Sequence, residues 1–423
     1  MAIMSSDNAY WLGKVPEDWR VSRIGDYYTL RNEKVSDVDY PPLSVTMKGV
    51  VPQLATAAKT DDHDNRKLVR KGDFAINSRS DRRGSCGISD YDGSVSLINT
   101  VLTPRGQMNP RYYNWLFHTE QFADEFYKWG HGIVDDLWTT RWQEMKSILI
   151  ISPPLAEQQV IADYLDDRCS KIDEIIAEVT ASIEEYKELK QAVIFEAVTK
   201  GLDKNAPMKD SGVNWIGKVP IKWHVTKLGR YINILPGYAF SSSDFAKDGI
   251  PLLRGVNVTP SGVRWDDTVF WNKPIESLEK YFLETGDIVV GLDRPWIKEG
   301  ARTLIIQEED LPCLLLQRVC RIRCSGNVLN SFVYYWLSSK SFERALTCET
   351  TGISVPHIST NQISEFVMAF PSISEQHKII DYLDRKIGDI DSLISEKQSL
   401  IDDLQAYKKS LIYEVVTGKR RVV

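Results

Sequence analysis

The chain repeats one long helical stretch, and that repeat limits its possible folds more than any other feature. Residues 153–201 read PPLAEQQVIADYLDDRCSKIDEIIAEVTASIEEYKELKQAVIFEAVTKG, and residues 371–417 return the same plan 218 positions later. Glu157-Gln158 reappears as Glu375-Gln376, Asp163-Tyr164-Leu165-Asp166 as Asp381-Tyr382-Leu383-Asp384, and Glu196, Val198 and Thr199 as Glu414, Val416 and Thr417. Apolar residues recur every third or fourth place. A 3-4 spacing from Ile161 gives a seam of Ile161, Leu165, Ile172, Val179, Tyr186 and Val193, with Arg168, Ile175, Ser182 and Leu189 between them. The second copy gives Ile379, Leu383, Ile390, Leu404 and Leu411, with Lys386, Leu393, Lys397, Leu400 and Tyr407 between. A seam of this kind needs a partner helix. At 1.5 Å per residue, residues 156–199 would run roughly 65 Å, well beyond an ordinary globular helix.

A second signature opens each half. Trp11–Trp19 (WLGKVPEDW) returns at an offset of 204 as Trp215–Trp223 (WIGKVPIKW). Its Gly and Pro suit a tight turn, and its tryptophans are large apolar anchors. Between the signatures and the helices, short Val/Ile/Leu/Phe runs alternate with Gly, Pro and Asp, as at Pro42–Val45, Asp73–Asn77 and Ser94–Leu102. These predict short strands in an α+β domain. Asn109-Pro110 predicts a helix start with Asn as N-cap, and Asn330-Ser331 stands as its counterpart. Lys71-Gly72-Asp73-Phe74 matches Thr285-Gly286-Asp287-Ile288.

The expected architecture is therefore α+β: two head domains of similar plan in a tandem pseudo-twofold repeat, separated by two long antiparallel helices that form a coiled coil. The expected boundaries are 1–152 for the first head, 153–200 for the first helix and 201–214 for a polar linker. Residues 215–370 form the second head, 371–418 the second helix, and 419–423 a disordered basic tail.

The formal charge of −6 weighs less than its distribution. Residues 156–200 carry 11 acids against 5 Lys/Arg and residues 372–418 carry 9 against 6, so the remainder is mildly basic and a DNA-facing surface stays open. No apolar run approaches the ~18 residues of a membrane span, and no signal peptide is evident, so a cytoplasmic protein without a membrane partner is expected. Six cysteines without a CxxC pair fit reduced thiols rather than a metal site.

Several motifs tempt and fail. Gly212–Lys218 fits the start of a phosphate-binding loop, but Val219 stands where Ser or Thr should hold magnesium. Asn109-Pro110-Arg111-Tyr112 lacks the Pro-Pro turn and cofactor loop of an amino-methyltransferase. Glu185-x-Lys187 and Glu188-x-Lys190 lie in a helix dense with such pairs. The six His form no ligand pattern, so no metal and no catalytic residue is assigned.

The basic loops carry more. Residues 66–86 hold seven Lys/Arg against two Asp. Asn77, Arg79, Ser80, Arg82 and Arg83 gather on a turn after an expected strand, where Arg can bind guanine, Asn adenine, and other cations phosphate. The matching place in the second half brings Arg294, Lys298 and Arg302. Two polar loops before the long helices add His131, and Ser354 with His357, as weaker candidates.

On the paired openings, the Pro-x-x-x-Glu-Gln helix starts at Pro153–Gln158 and Pro371–Gln376, and the LKQAVIFEAVTKGL ending at residues 189–202, the chain resembles the specificity subunit of a Type I restriction-modification system. The resemblance covers the whole chain. It implies that each head is a target recognition domain and that the helices are their shared frame. It implies a non-catalytic subunit that reads a split, asymmetric double-stranded DNA target. The implied partners are two methylation subunits and translocase/restriction subunits. S-adenosylmethionine, ATP and Mg would then be bound by those partners, with no cofactor in this chain. The contrasting expectation is a structural coiled-coil adaptor with two protein-binding domains.

Overall fold

The structure, a computed structural model, describes residues 10–53, 63–79, 82–132, 138–297, 300–347 and 357–422. The chain forms two compact units, one of Met1–Thr180 with Gln398–Val423 and one of Ala181–Lys397.

In the first unit the entry signature leads into β1 (Arg20–Arg23), which pairs antiparallel with β6 (Leu149–Ser152). A four-stranded antiparallel sheet follows, built from β2 (Tyr28–Arg31), β3 (Phe74–Asn77), β4 (Cys86–Ile88) and β5 (Asn99–Pro104), in the order β2-β5-β3-β4. All four residues of β3 are buried, which explains why Phe74-Ala75-Ile76 run apolar without alternation. Helix α1 (Pro110–Phe117) buries Tyr112, Tyr113, Leu116 and Phe117, and α2 (Glu120–Lys128) buries Phe122 and Phe126. Their rings continue onto the sheet: Phe117 lies 4.5 Å from Phe122 and 5.0 Å from Phe74 between centroids. Asn109 caps α1 as its sequence predicts, its side-chain oxygen accepting from Arg111 N at 2.9 Å.

The second unit repeats this plan. Strand β7 (His224–Lys227) pairs with β12 (Val367–Phe370), while β8 (Ile232–Pro236), β9 (Ile288–Gly291), β10 (Thr303–Ile305) and β11 (Val319–Cys324) form a sheet in the order β8-β11-β9-β10. Helices α4 (Asn330–Leu337) and α5 (Lys340–Thr347) replace α1 and α2. One expected correspondence shifts by a residue. The N-cap of α4 is Leu329, so Asn330 aligns with Pro110 rather than with Asn109. The Asn330 side chain instead accepts from Cys324 N at 2.8 Å and donates to Gly286 O at 2.7 Å.

The two repeated stretches are the helices α3 (Leu155–Lys200) and α6 (Ile373–Val416), of 46 and 44 residues. In the first unit the start of α3 lies antiparallel to the end of α6, with Lys408 Nζ 2.6 Å from Asp173. In the second, the end of α3 lies antiparallel to the start of α6, with Lys190 Nζ 2.7 Å from Asp391. Lys190 and Lys408 are 218 residues apart, and so are Asp173 and Asp391, so each ion pair is the repeat image of the other.

The seam departs from the strict 3-4 spacing. Ile161, Leu165, Ile172, Ile379, Leu383, Ile390 and Leu411 are buried, and Val179, Tyr186, Val193 and Leu404 are half-buried. The positions between them are displaced by one. Cys169, Ile176, Ile183 and Lys190 turn inward, whereas Arg168, Ile175 and Leu189 are exposed. The second copy shows the same shift, with Ile387, Ile394, Ile401 and Lys408 inward and Lys386, Leu393, Leu400 and Tyr407 exposed; Lys397 and Ser182 are half-buried. From Ile161 to Ala197 the seam takes ten steps over 36 residues, or 3.6 per step. That is the period of an undistorted helix, and a strict 3.5 spacing drifts off the contact face.

Each helix start is tied to its head. Gln158 Oε1 accepts from Asn109 N at 2.9 Å while its Nε2 donates to Pro153 O; Gln376 does the same for Leu329 N and Pro371 O. Buried backbone N–H groups need such partners, so the repeated Glu-Gln marks a structural joint. Glu157 accepts from Trp19 Nε1 at 2.9 Å.

Two joints carry more structure than their polar sequences suggest. The linker contains a strand, Met208–Asp210, paired with Lys218–Pro220. The phosphate-loop look-alike is the turn joining them, with Gly212 and Gly217 at φ 72° and 74° and Ser211 N donating to Gly217 O. The C-terminal tail is ordered as far as Val422. Arg421 pairs with Asp18 at 2.8 Å and lies over the Trp19 ring, because two acids and an aromatic face await it there.

Candidate nucleic-acid interface

In the first unit β3 delivers the chain to the basic loop. Asn77 is buried and its side-chain oxygen accepts from Arg79 N at 3.0 Å, which shapes the loop. Ser78 is also buried, with its N–H on Ile98 O at 3.2 Å and its carbonyl accepting from Thr140 N at 3.0 Å. Arg79 is half-buried and forms a β-bridge to Thr139, which bridges in turn to His131. The two loops singled out from sequence therefore meet. The second is held by Trp138, whose Nε1 donates to Tyr127 O at 2.7 Å, and by buried Thr140, which donates to Phe126 O. Gly130 makes room for that tryptophan, since a Cβ there would fall 2.3 Å from Trp138 Nε1.

The arginines of this loop are not equivalent. Arg83 is committed to the protein, paired with Asp124 of α2 and lying over the Tyr127 ring at 5.6 Å. Arg82 is exposed at the tip, and His131 is exposed with Glu144 4.0 Å away. Ser80 lies outside the described residues.

The second unit builds the same frame with other side chains. Leu292 N donates to Arg318 O at 2.9 Å, Leu292 O accepts from Ile358 N at 2.8 Å, and Asp293 bridges to His357. Position for position, Leu292 takes the role of Ser78, Asp293 that of Arg79, and His357 that of Thr139. The Asp293 carboxylate receives His357 Nδ1 at 2.7 Å and Arg318 Nη1 at 2.9 Å. The His357 hydrogen bond holds it below the usual carboxylate range against the opposing effect of burial, and the Arg318 charge adds to the lowering.

Arg302 is half-buried and spends its guanidinium on Val258 O and Asp293 O, both at 3.2 Å, so it fastens the loop. Burial lowers its pKa, Asp293 opposes that, and the nearby charges of Arg294 and Arg264 add to the lowering. Arg294 is exposed at φ 45°, a left-handed conformation uncommon for a residue with a Cβ. Trp296 fixes the far side of the loop against Phe342 of α5, 5.7 Å between centroids, where the first unit uses Arg83. Lys298 and Ser354 lie outside the described residues.

Sequence reasoning missed Arg318, Arg264 and Thr139. No motif surrounds them; only the strand register and the β-bridges bring them beside the predicted loops. Among the described residues no group of three or more His, Cys, Asp or Glu is placed to hold a metal ion. Five of the six cysteines are free thiols, buried or half-buried, and Cys348 lies outside the described residues. Among the described residues no helix is long and apolar enough to cross a membrane.

The geometry is thus two equivalent frames, each presenting exposed arginine and histidine over an anchored loop. Similarity to known proteins fits it. The chain is 28% identical to the Type I restriction enzyme MjaVIII specificity subunit of Methanocaldococcus jannaschii, over 97% of this chain and 94% of that one. It is 30% identical to the EcoAI specificity subunit of Escherichia coli over 71% of this chain, a match spanning just under half, 48%, of that relative's length. A chain solved in work on complex assembly and conformational transition of the type I R-M system has the same fold, with a TM-score of 0.70 at 15% identity over 95% of this chain and 98% of that one. The family model for the Type I restriction modification DNA specificity domain matches twice, at residues 16–185 and 220–401, and the chain belongs to that family.

Proposed function

We propose that this chain reads DNA for a Type I restriction-modification assembly, each head taking one part of a split, asymmetric duplex target. The observation that carries the reading is the pair of loop frames with matching backbone hydrogen bonds and unlike side chains at equivalent positions: Arg79 and Thr139 against Asp293 and His357. Equivalent frames let both heads approach a duplex in the same way, and unlike side chains make the two half-sites differ. Two long helices, each running in the chain from one unit into the other, connect the readers.

In this proposal the chain is not itself catalytic and works in the cytoplasm. Two methylation subunits dock on the repeated frame, translocase/nuclease subunits join them, and those partners bind S-adenosylmethionine, ATP and Mg. The near-identity of the two joints supports two copies of one partner.

A gel shift with the chain and its methylation subunits tests this. Binding should be tighter on one bipartite duplex than on random duplex by about 10³-fold or more, and should fall steeply with salt. Equal affinity for both duplexes at every salt concentration would favour a protein-binding adaptor. The chain alone, incubated with DNA and labelled S-adenosylmethionine, should transfer no label.

A further inference from the structure

The turns that precede β5 and β11 occupy one backbone position and carry opposite chemistry. In the first head the turn is Leu97-Ile98; in the second it is Gln317-Arg318. The strands that follow start in the same register, Asn99 opposite Asn77 and Val319 opposite Gly291. The next loop residues, Ser78 and Leu292, donate their N–H groups to the carbonyls of Ile98 and Arg318. Each turn is thereby fastened to the root of its basic loop while its side chains remain partly or largely in solvent. Leu97 and Ile98 are each 37% exposed, and the Arg318 side chain is 72% exposed.

Leu97 and Ile98, two adjacent aliphatic side chains, each keep over a third of their surface in water beside an arginine loop. Arg318 sits at φ 69°, a conformation that disfavours any residue with a Cβ. Asp293 nevertheless holds it, taking Nη1 at 2.9 Å while His357 steadies the same carboxylate. Among the described residues only Nη1 of Arg318 is engaged, which leaves the rest of the fork for a ligand.

We infer that residues 98 and 318 are specificity-determining, each reading one base position in its half-site. Arg318 donates to the O6/N7 edge of a guanine in the major groove, a pairing its planar fork matches. Ile98, flanked by Leu97, covers the methyl group of a thymine. A phosphate contact would need neither the carboxylate that aims Arg318 nor an uncharged pair at the equivalent place. Asp293 acts as a positioning residue.

This inference rests on the DNA-reading function proposed above, and one experiment separates the two. The chain, assembled with its methylation subunits, methylates a pool of random-sequence duplex with S-adenosylmethionine, and the modified molecules are sequenced. Arg318→Gly deletes the side chain while tolerating the positive φ. It should cut the preference at one position of one half-site about tenfold, leaving the other half intact. Ile98→Ser should do the same in the opposite half. Arg318→Lys, which keeps the charge without the fork, should fail to restore the preference. Should Arg318→Gly fold poorly, Arg318→Gln is read in the same way. A uniform drop in yield with an intact motif, or no change at all, overturns the inference. A wild-type pool with no motif removes the DNA-reading function itself.

Discussion

In the first head the buried carboxylate of Asp73 is gripped by Arg31, which reaches from β2 with Nε at 2.6 Å and Nη2 at 3.1 Å, while Thr103 of β5 adds a hydroxyl. In the second head the equivalent Asp287 is gripped by Arg323 of β11, at 2.5 and 2.9 Å. Arg323 occupies the strand position of Thr103, so the donor has moved from one neighbouring strand to the other while the acceptor has stayed. In both heads the carboxylate also accepts a backbone N–H at 2.8 Å, from Arg70 and from Glu284. Buried charge must be compensated, but the fold does not prescribe from where. The two basic loops follow the same logic. Their backbone bonds coincide, yet Arg83 on Asp124 and Trp296 on Phe342 fasten them by different chemistry. The frame is fixed by backbone geometry and the surface is left open to change.

The largest expected effect concerns the helices, where the two halves should behave alike. Leu165→Ala and Leu383→Ala, buried at repeat-equivalent positions, should each cost about 2–5 kcal/mol in denaturant unfolding. Ile175→Ala and Leu393→Ala, 44% and 39% exposed, should cost less than about 0.5 kcal/mol. Equal costs at all four sites would restore the strict 3-4 seam and break the equivalence drawn here.

Next come the buried carboxylates. Asp73→Ala and Asp287→Ala should each destabilise by about 3 kcal/mol, since an arginine fork and a backbone N–H lose their acceptor. Arg31→Ala should loosen the first head and Arg323→Ala the second, read by amide hydrogen exchange in each sheet. If Arg323→Ala left Asp287's surroundings protected, the exchange of donors between strands would be wrong.

Smaller effects belong to the loop tips. Arg82→Ala and Arg294→Ala should each weaken specific binding by about 1–3 kcal/mol if they read bases, in opposite half-sites. Equal losses on specific and random duplex would reduce both to phosphate contacts.

The repeat, the two signatures, the long helices and the α+β heads could all be read from the sequence, because each depends on local pattern: period, caps and apolar anchors. The errors came where a local pattern has two solutions. The seam needed 3.6 rather than 3.5 residues per turn, which short windows barely distinguish. Asn330 resembles a cap, but Gln376 meets Leu329 N and frees Asn330 for Cys324 and Gly286. Within the candidate interface, charge and position pointed to Arg82, Arg294 and His357, and the structure leaves all three exposed. Sequence could not show that Asn77 and Arg302 are turned to structural use, nor that Arg318 joins Asp293 across 25 residues. Those facts arise from strand register, which no single segment encodes.

The most direct measurement replaces residues 20–152 with the corresponding segment of another family member and sequences the DNA methylated by the resulting complex. One half of the target should change while the other half and the gap between them persist. Changes in both halves would contradict two independent readers on one duplicated frame.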